Sequence, residues 1–158
     1  MPEGEGGLHS CLVLKASGLF VALPVESAME TMRPLPIDAL AGMPPYVLGL
    51  SRIRGQAVPV VHLAVLLGAT SSAPVERFVT VDAGGRRVAL AADAVVGIRE
   101  LGAAALGELP PLLGTVQADL VEALGVLDEG LLVVLRAARI LPPDVWKRVQ
   151  AATAQAQA

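Results

Sequence analysis

The chain has 158 residues, enough for one domain or for two small units sharing a boundary. Hydrophobic residues make up 54% and aromatic residues 3%, so the core must come from Val, Leu, Ile and Ala, and no row of stacking platforms for single-stranded nucleic acid exists. The net charge of −3, from 12 basic against 15 acidic residues, excludes the strongly basic face that duplex nucleic acid requires.

The predicted elements run as follows. Residues 1–7, MPEGEGG, read as a flexible tail without the basic start and apolar run of a signal peptide. Leu8–Leu14 and Leu19–Leu23 form a hairpin across the turn Ala16-Ser17-Gly18. Val25–Met32 is a short helix or a continued strand, ended by Pro34 and Pro36. Val47–Ile53 and Ala57–His62 are strands around Arg54-Gly55-Gln56. Pro59 within the second of them predicts an edge or a bulge, because proline donates nothing to a ladder. Ala64–Gly68 is a helical turn, and a linker lies near 69–76.

Phe78–Val81 and Arg87–Ala91 pair across a glycine turn, and Leu101–Asp119 reads as irregular. Ala123–Leu127 and Leu131–Leu135 make the last hairpin, Asp144–Val149 is helical, and 149–158 reads as a second flexible tail.

Two stretches return. Val47–Leu67 lies over Val121–Leu141 without a gap, and Leu12–Met29 lies over Val79–Val96. Short strands with Gly/Pro turns, used twice, predict an all-β fold of two small barrels packed through an apolar seam, with residues 8–148 as the folded unit.

Reactive clusters are missing from the sequence. Cys11 is the single cysteine and His9 and His62 are the two histidines, so no Cys/His set at metal spacing occurs. Gly49-Leu50-Ser51-Arg52-Ile53 lacks the closing glycine of a nucleophile elbow, and no phosphate-binding glycine loop is present. The expectation is a protein that is not an enzyme and takes no metal or other cofactor. His62 reads as a half-buried strand histidine with one partner, Glu26 and Glu30 as solvated or arginine-paired, and Met29, Met32 and Met43 as core filler. The longest apolar runs are too interrupted to cross a membrane, which predicts a soluble cytoplasmic protein.

Tyr46–Leu63, YVLGLSRIRGQAVPVVHL, resembles the signature strand pair of the CheW-like chemotaxis coupling proteins, with Gly49, Ile53, Arg54, Gly55, Val58, Pro59, Val60, Val61 and Leu63 matching. Phe20–Val25 with Met29-Glu30, and Gly85–Leu90 with Asp93–Ile98, resemble the flanking stretches of that family. The resemblance implies two five-stranded SH3-like β-barrels with short helical segments. It also implies a non-catalytic adaptor joining the cytoplasmic tip of a chemoreceptor to the regulatory domain of a CheA-type histidine kinase, recruited to membrane receptor arrays without entering the membrane. It places Arg54 and Glu30 on the coupling surface within ion-pair reach, with Arg52, Gly55 and His62 beside them. Three positions depart from the family pattern: Arg52 stands for an Asn, His62 for an Asp, and Arg136 for an Asp or Asn. A second reading follows from them, a divergent member that binds only receptor or kinase, or serves a non-flagellar pathway.

Overall fold

The computed structural model describes residues 8–69, 74–102, 106–107 and 119–157. The expected N-terminal tail, half of the linker and most of the irregular stretch before Asp119 lie outside them. The strands are β1 (Leu8–Ala16), β2 (Leu19–Pro24), β3 (Ala28–Met32), β4 (Val47–Ile53), β5 (Gln56–His62), β6 (Arg77–Asp82), β7 (Arg87–Ala92), β8 (Ala94–Gly102), β9 (Leu106–Gly107), β10 (Val121–Leu127) and β11 (Gly130–Leu135). The helices are α1 (Leu63–Leu66) and α2 (Pro143–Gln157).

Three hairpins turn on two residues that both have positive φ: Ser17-Gly18, Arg54-Gly55 and Asp128-Glu129. That turn carries the right-handed twist of paired strands. The segment after β2 resolves into a 3-10 turn, Val25–Ser27, followed by β3. Helix α2 runs on through Gln157, into the stretch expected as a tail, because Val145, Trp146 and Val149 bury one face of it in the core.

The strands form two sheets, in the orders β8-β1-β2-β11-β10-β9 and β3-β6-β7-β5-β4. The orders match strand for strand, apart from the two-residue β9. The registers match as well. Val47 pairs with Val61 and Val121 with Leu135, each followed by the same bulge one step on. Ala28 pairs with Val81, and Val95 with Leu14, again at a bulge. His62 donates its N–H to the Tyr46 carbonyl at 2.7 Å, and Arg136 to that of Leu120 at 2.8 Å. Val47–Leu67 and Val121–Leu141 therefore occupy equivalent places.

The sheets are out of phase with the repeat. The break near 69–76 falls inside the sheet built from residues 28–92, and the other sheet joins residues 8–24 to 94–135 through the parallel pair β2–β11. A boundary drawn at the linker separates neither sheet from the other. Alternation cannot reveal this, since it shows which residues are strands and not which strands pair.

One apolar cluster lies between the sheets. Leu12, Leu14, Val21 and Leu23 meet Val79, Val81, Val88 and Leu90 there, with Val133 and Leu135 from β11. The opposite faces of the same strands feed two small clusters, one around Val13, Ala22 and Leu132, the other around Val60, Phe78 and Ala89. Burial on both faces explains the continuous apolar runs of β7 and β11. Pro59 lies within an interior strand, contrary to the edge expectation. It pairs with Leu50 on one side, and β5 begins its ladder with β7 only at Val60, so the missing N–H removes no bond on that side.

The segment after β3 covers the free edge of β4. Asp38 and Leu50 exchange backbone hydrogen bonds at 2.8 and 2.9 Å, and the buried Ser51 hydroxyl donates to the Pro36 carbonyl at 2.9 Å. Gly49 has φ +145, and a Cβ there would overlap the Asp38 carbonyl oxygen. Gly55 also has positive φ, but a Cβ there meets nothing. Gly49→Ala is expected to cost about 2–3 kcal/mol and Gly55→Ala only about 1 kcal/mol. Equal thermal midpoints for the two variants would show that the Asp38 contact does not require the glycine.

Candidate functional site

Arg54 is the first residue of the β4–β5 turn, with φ +53. A non-glycine residue there costs about 1–2 kcal/mol of backbone strain. The turn points its guanidinium at Glu30 on β3. Nε donates to Oε1 at 3.1 Å and Nη2 to Oε2 at 2.5 Å, a bidentate fork. β3 and β4 are the two edge strands of their sheet, so the pair spans its open side.

Glu30 is itself held. It follows a bulge in β3, and its N–H donates to the buried Thr80 hydroxyl at 3.1 Å. The hydrogen bond from Arg54 keeps the Glu30 carboxyl below its ordinary range, and the positive charges of Arg54 and Arg87 act in the same direction. The Arg54 side chain is 70% exposed and that of Glu30 34%, so the pair contributes little to folding. Its value is geometric, since it fixes a guanidinium at the surface.

The remaining expected residues take different places. Gly55 completes the turn with φ +77. Arg52 is exposed on β4, and its side chain makes no hydrogen bond or ion pair among the described residues. A shared strand face for Arg52 and Arg54 does not follow, because Arg54 has left the strand with reversed φ. His62 is half-buried at the N-cap of α1, where Nδ1 accepts from the Val65 N–H at 3.3 Å. It thus fills the capping role open to the carboxylate of the family pattern. Arg136 sits at the equivalent place and donates to the Asp119 carbonyl at 3.1 Å.

Sequence reasoning missed Thr80, which carries no motif, and gave Arg87 no role although it lies in the Gly85–Leu90 stretch. Met29 is 48% exposed rather than core filler, whereas Met43 packs against the shared core and Met32 against one of the small clusters. The Cys11 thiol is pushed up by burial first and then by Glu26 and Glu122, which makes it a poor nucleophile. Among the described residues no group of three or more His, Cys, Asp or Glu is placed to hold a metal ion, and no helix is long and apolar enough to cross a membrane.

The repeat shows how local this constellation is. In the other sheet Gly97 stands at the place of Glu30 and Asp128 at that of Arg54.

The family model for the CheW-like domain matches residues 10–144. The chain belongs to the CheW-like family. Among solved structures, the scaffolding protein TtCheW from Thermoanaerobacter tengcongensis superposes with a TM-score of 0.73 at 18% identity, over 87% of this chain and 95% of that one. The fold is accordingly a pair of SH3-like β-barrels. No curated protein matches.

Two measurements follow from this geometry. In a carboxyl NMR titration Glu30 should lose its proton below the ordinary carboxylate range, and Arg54→Ala should return it towards that range. Because the folded value is the lower one, the pair contributes above the unfolded value and is lost as pH falls through the folded value. An unmoved Glu30 midpoint in the variant would dismiss the fork. His62→Ala should cost about 1 kcal/mol and His62→Asp much less, read by denaturant midpoint; equal losses would remove His62 from the cap.

Proposed function

We propose that this protein is a non-catalytic scaffold in chemosensory signalling, coupling the cytoplasmic tip of a chemoreceptor to the regulatory domain of a CheA-type histidine kinase. The family match supports the chemotaxis role. The observation that carries the receptor contact is the Arg54–Glu30 fork. An arginine held at positive φ at the tip of a hairpin, at some cost and with little return in stability, is a group shaped for something outside the molecule. Gly55 lets the turn form, and Arg52 adds an uncompensated positive charge beside it. The protein would act in the cytoplasm, gathered at receptor arrays through its partners.

The second reading, a divergent member with one partner, rests on Arg52, His62 and Arg136. His62 caps a helix and Arg136 secures the chain before β10, so two of the three departures have tasks within the fold. Arg136 is exposed but meets Glu122 at 3.7 Å, so of the three only Arg52 adds a surface charge without a partner among the described residues, which favours the two-partner reading.

Arg54→Ala should leave the melting temperature nearly unchanged and weaken binding of a receptor tip fragment about tenfold or more, about 1.4 kcal/mol. Binding of the isolated kinase regulatory domain should be kept. A folded variant with wild-type affinity for the tip would remove Arg54 from the receptor contact.

A further inference from the structure

A trough leads away from the Arg54–Glu30 fork and ends under α2. Its first part, about 240 Å³, is lined by Met29, Gln56, Asp82, Gly85, Arg86 and Arg87. Its second part, about 460 Å³, shares Gln56, Arg86 and Arg87 and continues past Val58 and Pro59 to Trp146. The floor is apolar where α2 meets β5. The rim is basic. Arg86 lies over the Trp146 ring, 4.9 Å from its centroid, and Arg87 is close enough to act on Glu30. Neither arginine has a carboxylate in ion-pair reach among the described residues. The nearby Asp82 accepts the Gly85 N–H at 2.6 Å, closing the β6–β7 turn.

The duplicated barrel shows that this chemistry is not imposed by the fold. Lys15 pairs with Phe20 and Asp82 with Arg87 in corresponding registers, so Phe20 stands where Arg87 does and Leu19 where Arg86 does. Gly130 stands for Gln56 and Val126 for Arg52. One copy gathers arginines at these places; the other puts Leu19, Phe20 and Val126 there, beside Lys15 and Asp128.

We propose that the trough is a second docking segment for the same receptor partner, and that it receives an acidic, amphipathic helix. Carboxylates on one side of that helix would meet Arg86 and Arg87. Its apolar side would rest on Met29, which is 48% exposed, above a floor of buried Val58, Pro59 and Trp146. Charge complementarity selects this occupant: two arginines with no carboxylate in ion-pair reach among the described residues, beside an apolar floor, repel a basic segment and leave a neutral one without partners for the guanidinium groups. The inference rests on the receptor reading above, because the trough begins at Met29 and Gln56, the chain neighbours of Glu30 and Gly55.

The test measures binding of a chemoreceptor cytoplasmic-tip fragment to full-length protein by calorimetry, at low and at raised salt. Wild type is compared with Arg86→Glu/Arg87→Glu, Arg87→Glu alone, and Arg99→Glu on the other barrel as control. Thermal melting verifies folding, and Arg87→Glu leaves the Arg86–Trp146 stack in place. The expected result is a loss of about tenfold or more for the double variant and a smaller loss for Arg87→Glu. Arg99→Glu should bind as wild type, and raised salt should weaken wild type more than the double variant. A folded double variant with wild-type affinity overturns the trough and leaves the Arg54 contact standing. A wild-type protein that binds no tip fragment overturns both, and an equal loss in Arg99→Glu shows a general charge effect that overturns the trough alone.

Discussion

The parallel pairing of β2 with β11 is the contact on which the rest of the molecule depends. It joins Phe20 to Leu132 and Val21 to Val133, near the two ends of the folded chain. Without it β1 and β2 have β8 as their one neighbour, and β10 and β11 lack a sheet to join. The ladder is short, and parallel pairs are no stronger per residue than antiparallel ones. Its strength comes from what it aligns: Val21, Leu23, Val133 and Leu135 enter the shared core side by side. Closing a loop of that length costs entropy before any contact is gained, so the apolar burial must come with it.

The other sheet, contiguous over 28–92, has its pairing partners at hand but not its cover. Val79, Val81, Val88 and Leu90 face the shared cluster, and alone they would meet water. Each barrel therefore supplies the other's second layer. The result is a pair of sheets buried on both faces in the middle, with hairpin tips projecting at the surface.

Much of this could be read from the residues. Val47–Leu67 and Val121–Leu141 announce the duplication, and Ser17-Gly18, Arg54-Gly55 and Asp128-Glu129 announce the three tight turns. The pairing scheme could not be read, because Leu14 is equally apolar whether its neighbour is β2, β8 or both. Pro59 misled for a related reason: the place where a ladder begins depends on a strand far away in sequence. Residues 149–157 look low-complexity, yet the helix into which they continue is anchored by Val145, Trp146 and Val149. The Arg54–Glu30 fork was legible only through family resemblance, since nothing local ties a turn arginine to a carboxylate two strands away. Gly49 matched that resemblance without a reason until Asp38 was seen to approach its α-carbon.

Duplication of a barrel creates two surfaces that begin alike. If they stayed alike, a coupling protein would present one docking face twice and would link copies of a single partner. Here the copies have parted. Glu30, Arg52, Arg54, Arg86 and Arg87 occupy one, while Gly97, Val126, Asp128, Leu19 and Phe20 hold the corresponding positions in the other. Val126 is 68% exposed and Leu131 opposite it 43%, so the second surface presents apolar side chains to solvent where the first presents arginines. A basic face and an apolar face reject each other's ligands: a charged group loses its partners on the apolar side, and an apolar one strands guanidinium groups on the basic side. The strands common to both barrels keep the positions equal, and the side chains at their tips make them unlike. That combination, symmetric in backbone and asymmetric in chemistry, gives a single small chain a direction.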